Sequence, residues 1–299
     1  MSIQLLHNSK IDLLRWDEVI NCAFNSRIYA ESWYLDIIHP DWMGIIYGDY
    51  EYVMPVIVGK KWGISYLFQP TYAQQHGIFP TSTPKITDEI IGFLKESFAY
   101  INLSMNALNI DVSKLVQVEQ RHNYILSLKT NYQEIKKGYN GHAMRYVKKA
   151  TKGCEVSEHV NLDEYLNLKQ RNSHAGFQVK HLSALKLIML NAIKQNRGII
   201  YGAFSPRNEL IAAAFFIVER KRITYLNSVS TGEGKVTRAM YAIIDYFIQE
   251  YAGSGYLLDF EGSNIDGIAR FFSGFGAKPE IYQHIHFNRL PWYLKLVKK

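Results

Sequence analysis

The chain has 299 residues, of which 47% are hydrophobic and 20% charged, and its formal net charge is +7. It is about twice as long as a domain of roughly 150 residues, and its composition is that of globular proteins, which excludes a disordered chain. No apolar run of about 18 residues predicts a membrane-spanning helix, and the N-terminus does not read as a signal peptide. The two cysteines, Cys22 and Cys154, lack metal-like spacing, which argues against a disulfide framework or a cysteine-built zinc site and favours a cytoplasmic location.

The first half of the chain predicts two helices and at least three strands, assigned from helical periodicity and from short apolar runs between turn residues. The helices are expected at residues 30–38 and 86–99, and the strands at residues 43–47, 52–58 and 64–68. One or two further strands precede residue 128. Residues 69–84 show neither period and predict a long irregular loop, a kind of segment that is more often functional than average.

The second half predicts a regular order of elements: a strand, two helices, three antiparallel strands, a helix, a strand, a helix and a strand. These elements are expected at residues 154–159, 162–174, 182–195, 198–204, 210–219, 222–228, 236–251, 256–260, 265–275 and 281–287. A Gly-containing loop over residues 231–234 leads into the helix at 236. Ser263 and Asn264 have the residue types of a helix N-cap, and Pro291 predicts the start of a short terminal helix.

Most of the excess positive charge lies in one segment, because six basic residues and a single glutamate occur between Gln133 and Gly153. Helical spacings of three and four place four of them on one stripe: Arg145, Lys148, Lys149 and Lys152. Such a stripe attracts phosphate, nucleic acid or an anionic membrane surface. A solvated, purely solubilising helix face explains the same pattern, and the sequence leaves both interpretations open.

The element order of the second half, with a Gly-containing loop before a helix, resembles the GNAT acyltransferase fold. Three passages, HAMRYVKKATKGCEVSE, LLDFEGSN and GIARFFSGFGAKP, resemble the Fem family of peptidoglycan-bridge aminoacyl transferases and related GNAT-like proteins. This resemblance implies an α+β chain with two GNAT-like domains in tandem, residues 1–128 and 129–299, each a mixed, mainly antiparallel sheet flanked by helices. It also implies an acyl or aminoacyl transferase that forms an amide on an amine acceptor, either a small amine or a cell-wall precursor.

The loop before the helix at 236 is a candidate site for the phosphates of a donor. Gly232 and Gly234 permit a close approach of the backbone to an anion, and Lys235 and Arg238 add positive charge. The segment does not match the usual glycine pattern of coenzyme A users, and Fem-like transferases take the acyl group from aminoacyl-tRNA. The donor, acyl-CoA or aminoacyl-tRNA, therefore stays open.

Two carboxylates follow each other at alternate positions in the strand at 256–260. Asp259 and Glu261 flank Phe260, so we expect both to point to one face, as a general base or an anchor for the acceptor amine requires. The alternative is that Asp259 holds the neighbouring loop. Tyr225, in the third antiparallel strand, is a candidate for the acceptor groove or a residue at the edge of the core.

The helix at 265–275 departs from the Fem pattern. The resemblance implies a lysine that stabilises the developing oxyanion at the position of Phe272, and phenylalanine has no charge. Arg270 is a substrate-binding candidate, but two residues along a helix place it about 200° around the axis. This departure favours a second hypothesis, a catalytically inactive module that binds tRNA, a nucleotide-sugar or another phosphate-bearing ligand, including a membrane surface.

His284 and His286 alternate on the last predicted strand and share one face. No third ligand lies nearby in the sequence, so we expect cross-strand packing or hydrogen bonding and no metal site.

Overall fold

The structure is a computed structural model that describes residues 2–172, 179–262 and 265–291. The chain forms two compact units, a first unit of Met1–Arg121 with Ile281–Lys299 and a second unit of His122–Glu280. The units are not consecutive in the sequence, because residues 284–288 of the last strand pair with residues 100–104. The domain division at residues 128 and 129 remains a prediction.

Among its described residues, the first unit contains three α-helices, a three-stranded antiparallel sheet and four further strands that pair side by side. The helices are α1 (Leu13–Cys22), α2 (Ser32–Ile38) and α3 (Pro84–Ser97), and the three-stranded sheet has the order β1 (Ile3–His7), β2 (Met43–Tyr47), β3 (Tyr52–Val56). The other strands have the order β4 (Val58–Lys61), β5 (Ile64–Phe68), β6 (Tyr100–Ser104), β13 (Lys278–Asn288). The pair β5 and β6 is parallel and the others are antiparallel.

The sequence does not predict β1 and α1 at the start of the first unit, but it predicts α3. β1 has no fully buried side chain, and only Trp16 and Ile20 are buried in α1, although Leu13, Trp16, Val19 and Ile20 recur there at helical spacing. The predicted loop is confirmed, since residues 69–83 form no helix or strand apart from a single bridge between Val53 and Phe79.

The second unit contains six strands and seven helices among its described residues. Its strands have the order β7 (Gln117–Ser127), β12 (Leu257–Gly262), β11 (Arg222–Ser230), β10 (Leu210–Glu219), β9 (Gly198–Phe204), β8 (Glu155–Ser157). Its helices are α4 (Tyr132–Lys136), α5 (Gly141–Ala150), α6 (Leu162–Asn172), α7 (Val179–Lys194), α8 (Gly232–Thr237), α9 (Ala239–Tyr251) and α10 (Asp266–Gly274). The predicted antiparallel meander of β9, β10 and β11 is confirmed.

The core of the second unit lies between the meander and α9. Ile243, Ile244 and Phe247 of α9 are fully buried, as the helical spacing predicts, and Phe247 stacks on Phe216 of β10 with ring centroids 4.0 Å apart. α9 therefore packs on one side of the sheet, against β8, β9 and β10.

The basic segment forms two helices, α4 and α5, and the glycines at 138 and 141 predict a break at this place. α5 begins after Asn140, whose side chain accepts a hydrogen bond from the backbone N–H of Ala143 at 2.9 Å. Within the described part of the chain, none of the helices combines the length and the apolar character needed to cross a bilayer. The predicted cap residues Ser263 and Asn264, the end of the helix predicted to reach residue 174 and the terminal helix after Pro291 lie outside the described residues.

Candidate functional site

A cleft of about 990 Å³ opens in the second unit where β11 and β12 stop pairing. The two strands are parallel neighbours over three residue pairs only, from Arg222 and Leu257 to Thr224 and Asp259. β11 continues to Ser230 and lines the cleft, while the end of β12 lines the facing wall. The cleft is thus built where a parallel pair of strands ends.

A local irregularity in each strand explains why the pairing ends here. In β11, Tyr225 faces Phe216 of β10 and Asn227 faces Phe215, so Leu226 is an extra residue that forms a bulge. In β12 the register shifts after Asp259, and Glu261 has a φ of 59°. Bulges bend a strand and interrupt its ladder, so both strands diverge at this point.

The inner wall of the cleft is aromatic. Tyr225 lies 6.2 Å from Phe260 and 6.1 Å from Phe272 between ring centroids, and Phe260 and Phe272 stack at 4.9 Å. Tyr225 is only 8% exposed, and burial raises the pKa of its hydroxyl. Phe272, which the resemblance to Fem transferases aligns with a lysine, belongs to this apolar wall.

The two predicted carboxylates have different environments. Glu261 lines the cleft, whereas Asp259 is 1% exposed and forms an ion pair with Arg222. Arg222 also lies 3.3 Å from Glu280, and Asp259 accepts a hydrogen bond from the backbone N–H of Glu261 at 2.8 Å. The expected common face is wrong, because the left-handed backbone of Glu261 interrupts the alternation of the strand.

The predicted glycine loop is a short helix. Gly232 to Thr237 form α8, which begins at Thr231, whose hydroxyl accepts a hydrogen bond from the N–H of Gly234 at 3.0 Å. Glycine lowers helix propensity, which explains why the sequence predicts a loop. Gly234, Lys235 and Arg238 line the cleft, and Gly232 is not among its lining residues.

Arg238 makes the turn between α8 and α9. Its φ of 67° is in the left-handed region, which ends α8 and lets α9 begin in a new direction. The guanidinium carbon of Arg238 lies 4.5 Å from the ring centroid of Tyr146, and that of Arg145 lies 5.2 Å from the same ring. Tyr146 therefore brings one cation of α5 next to one cation of the cleft.

The basic stripe of α5 divides into residues with different contacts. Lys149 donates a hydrogen bond from Nζ to the carbonyl oxygen of Val236 at 2.9 Å, at the end of α8. Arg145 approaches His142 Nδ1 with Nη2 at 2.8 Å, and Lys148 is exposed. None of these basic residues lines the cleft, and Lys149 has a structural contact that the spacing alone does not indicate.

Arg270 lies outside the cleft lining. It is exposed, and its Nε donates a hydrogen bond to the carbonyl oxygen of Asp266 in the same helix at 3.2 Å. Arg270 therefore supplies no positive charge to the inner wall at Phe272. This agrees with the prediction that Arg270 points to a different side of the helix from Phe272.

One charged residue of the cleft was missed by the sequence analysis. Lys169 of α6 lines the cleft, and its Nζ donates a hydrogen bond to the carbonyl oxygen of Ser228 at 2.9 Å. Burial lowers the pKa of this ammonium group to about 8. The sequence spacing could have indicated this position. Lys169 follows Leu162, Tyr165 and Leu166 on the same face of α6, where a lysine is uncommon.

The histidine pair on β13 belongs to the first unit. His284 is buried between Ser104 Oγ at 3.0 Å and Asn102 Oδ1 at 2.6 Å, which is the cross-strand hydrogen bonding that the sequence predicts. Its pKa is lowered to about 4, chiefly by burial. In the ranges 2–172, 179–262 and 265–291, no three histidine, cysteine or acidic side chains cluster as metal ligands do.

Comparison with known proteins gives a structural likeness without a sequence match. No family model and no curated protein sequence matches this chain. The crystal structure of FemX superposes with a TM-score of 0.65 at 11% identity, covering 100% of both chains.

Two further solved structures share the architecture at similar identity. The C-terminal domain of a lysylphosphatidylglycerol synthetase from Agrobacterium fabrum has a TM-score of 0.58 and 11% identity, over 95% of this chain and 94% of that chain. A tandem GNAT protein from the clavulanic acid biosynthesis pathway has a TM-score of 0.56 and 9% identity, over 95% and 98%. The chain therefore has the mixed α+β architecture of Fem-like and tandem GNAT proteins, with two GNAT-like domains.

Proposed function

We propose that this protein is an acyl or aminoacyl transferase that forms an amide on an amine acceptor bound in the cleft of the second unit. The observation that carries the proposal is the divergence of β11 and β12, which opens a cleft of about 990 Å³. A cleft with an apolar wall and a few convergent polar groups is the usual form of a small-molecule site. FemX and the tandem GNAT protein share the fold, which supports the reaction class.

Glu261 is the residue that we propose as general base. Its side chain lines the cleft, so its carboxylate can accept a proton from the acceptor amine as the amide bond forms. Asp259 is held by Arg222 and by the N–H of Glu261, so in this proposal it positions the backbone of Glu261 and does not meet the substrate.

Lys235 and Arg238 are the residues that we propose for the donor phosphates. Both line the cleft, and no ion pair is formed by either of them within the described part of the chain. Gly234 lets α8 pack closely on β10 and so sets the depth of this side of the cleft. Arg145 shares the Tyr146 ring with Arg238, so the positive surface extends from the cleft to α5.

The donor class follows from this charge. Both acyl-CoA and aminoacyl-tRNA carry the acyl group at the end of a phosphate-bearing molecule, and a cleft with cations at its border favours such donors. The resemblance of three sequence passages to Fem transferases favours aminoacyl-tRNA and a cell-wall precursor, and the fold shared with a tandem GNAT protein favours acyl-CoA and a small amine. A cytoplasmic location is part of the same proposal.

The first experiment is calorimetric titration with acetyl-CoA at low and moderate salt, followed by an assay for amide formation with a panel of amines. We expect saturable binding that Lys235→Ala and Arg238→Ala weaken. Lys221→Ala is the matched control, because Lys221 is exposed in the turn before β11 and does not line the cleft. Equal weakening by all three variants would contradict a localised donor site.

A negative result with acetyl-CoA is followed by titration with aminoacyl-tRNA. Binding driven by phosphate contacts should weaken steeply with salt, and Lys148→Glu should reduce it without disturbing α8, since Lys148 is exposed and Lys149 makes the contact with Val236. Binding without any amide product would replace the transferase proposal by the inactive binding module.

A further inference from the structure

Lys169 has a position that core packing alone does not explain. It lies one helical turn after Tyr165 and Leu166, which are both buried, so α6 directs it toward β11. The Nζ reaches the carbonyl oxygen of Ser228 at 2.9 Å, and the residue lines the cleft. The sequence thus places an ammonium group in the wall formed by the end of β11 that extends beyond its pairing with β12.

Titratable side chains face the same cleft as Lys169 from several of the elements that line it. They are His181 on α7, Tyr225 on β11, Glu261 on β12, Lys235 on α8, Arg238 before α9 and Tyr241 on α9. Burial of the ammonium group is the cause of the lowered pKa of Lys169, which is about 8. The ammonium form predominates below pH 8 and is lost above it.

We propose that Lys169 is a catalytic residue, whose ammonium group donates a hydrogen bond to the oxygen of the acyl carbonyl and stabilises the oxyanion of the tetrahedral intermediate. This inference rests on the proposed acyl transfer. Preorganised donors aimed at a developing oxyanion contribute strongly in a site shielded from water. Phe272 supplies no charge and Arg270 lies outside the cleft lining, so Lys169 supplies the cation from a different element of the fold.

The chemical step is balanced with the groups of the cleft and the two substrates. The acceptor nitrogen attacks the carbonyl carbon, a C–N bond forms, and the π electrons of the carbonyl move to the oxygen that Lys169 holds. Collapse of this intermediate re-forms the carbonyl and breaks the bond to the thiol sulfur of coenzyme A or to the ribose oxygen of tRNA. Glu261 takes the proton from nitrogen and returns it to the leaving group, and Lys169 is unchanged.

The test compares Lys169→Met and Lys169→Arg with the wild-type protein and with Lys221→Met as an exposed-lysine control. Steady-state amide formation is measured from pH 6 to 10 with acetyl-CoA and with aminoacyl-tRNA as donors. We expect Lys169→Met to lower kcat by about 10²- to 10³-fold with a smaller change in KM. Wild-type kcat should fall above pH about 8 relative to Lys169→Arg, whose guanidinium keeps its proton.

The outcomes separate this inference from the function on which it rests. If the wild-type protein transfers an acyl group from neither acetyl-CoA nor aminoacyl-tRNA, both the proposed function and the role of Lys169 are overturned. Two results would overturn the role of Lys169 alone while the wild type transfers the acyl group. One is a folded Lys169→Met protein whose kcat equals that of the wild type. The other is a Lys169→Arg protein whose kcat falls at alkaline pH as the wild-type kcat does. Thermal unfolding of each variant identifies a loss of structure, and a misfolded Lys169→Met leaves the decision to the pH profile of Lys169→Arg.

Discussion

Two glycines in one short helix should respond oppositely to the same substitution. A Cβ at Gly234 would overlap the carbonyl oxygen of Ile211 and lie 3.0 Å from its carbonyl carbon, so α8 must move away from β10. A Cβ at Gly232 would meet nothing within 4 Å. Gly234→Ala is therefore a steric test of α8 packing, and Gly232→Ala is its matched control.

The expected magnitudes follow from these distances. Overpacking against backbone costs about 1–3 kcal/mol, part of which is offset by the better helix propensity of alanine, so Gly234→Ala should lower the free energy of unfolding by about 1–2 kcal/mol. Gly232→Ala should leave it unchanged or raise it by about 0.5 kcal/mol. In a domain of this size, 1 kcal/mol changes Tm by about 2–4 °C.

The assay is thermal unfolding of both variants under one buffer condition, repeated with urea denaturation. Because Gly234 lines the cleft, Gly234→Ala should also weaken donor binding at the proposed phosphate side. A Gly234→Ala protein that is as stable as Gly232→Ala would refute the close packing of α8 on the carbonyl of Ile211.

Two further predictions concern buried polar groups. Asp259→Asn removes the carboxylate that pairs with Arg222 and should destabilise the second unit by about 3 kcal/mol in urea denaturation. An unchanged denaturation midpoint together with abolished turnover would instead make Asp259 catalytic. His284 has a folded pKa of about 4 against an ordinary value of 6.5, so the unfolded chain binds its proton first, and stability should fall as the pH decreases from about 6.5 to 4. His284→Gln should reduce this acid sensitivity in pH-dependent thermal unfolding, and an identical pH profile in the variant would contradict the assignment.

The sequence predicts most elements of the second unit because local periodicity and core burial agree there. The helix expected at 182–195 corresponds to α7, in which Leu185, Ile188, Met189 and Ala192 recur at helical spacing and are fully buried. The strands at 198–204 and 210–219 have the predicted bounds, because short polar turns separate long apolar runs. β1 and α1 were not predicted, although both contain apolar residues at regular spacing.

The sequence predicted only some of the residues that line the cleft. Tyr225, Gly234, Lys235, Arg238 and Glu261 were named from the sequence and lie together in the lining of one cleft. The other candidates lie elsewhere, and the reasons are tertiary. Asp259 forms an ion pair with Arg222 of another strand, and Lys149 donates a hydrogen bond to the carbonyl of Val236 at the end of α8. Arg270 lies on the exposed side of its helix.

The amino-acid sequence by itself determined the order of most helices and strands of the second unit, the basic stripe and the absence of charge at Phe272, because these depend on residue type and short-range spacing. The tertiary structure decided where β11 and β12 separate, which carboxylate meets the cleft and that Lys169 lies in its wall. Those properties depend on bulges and on contacts between residues distant in the sequence, and such contacts leave no periodic signal along the chain.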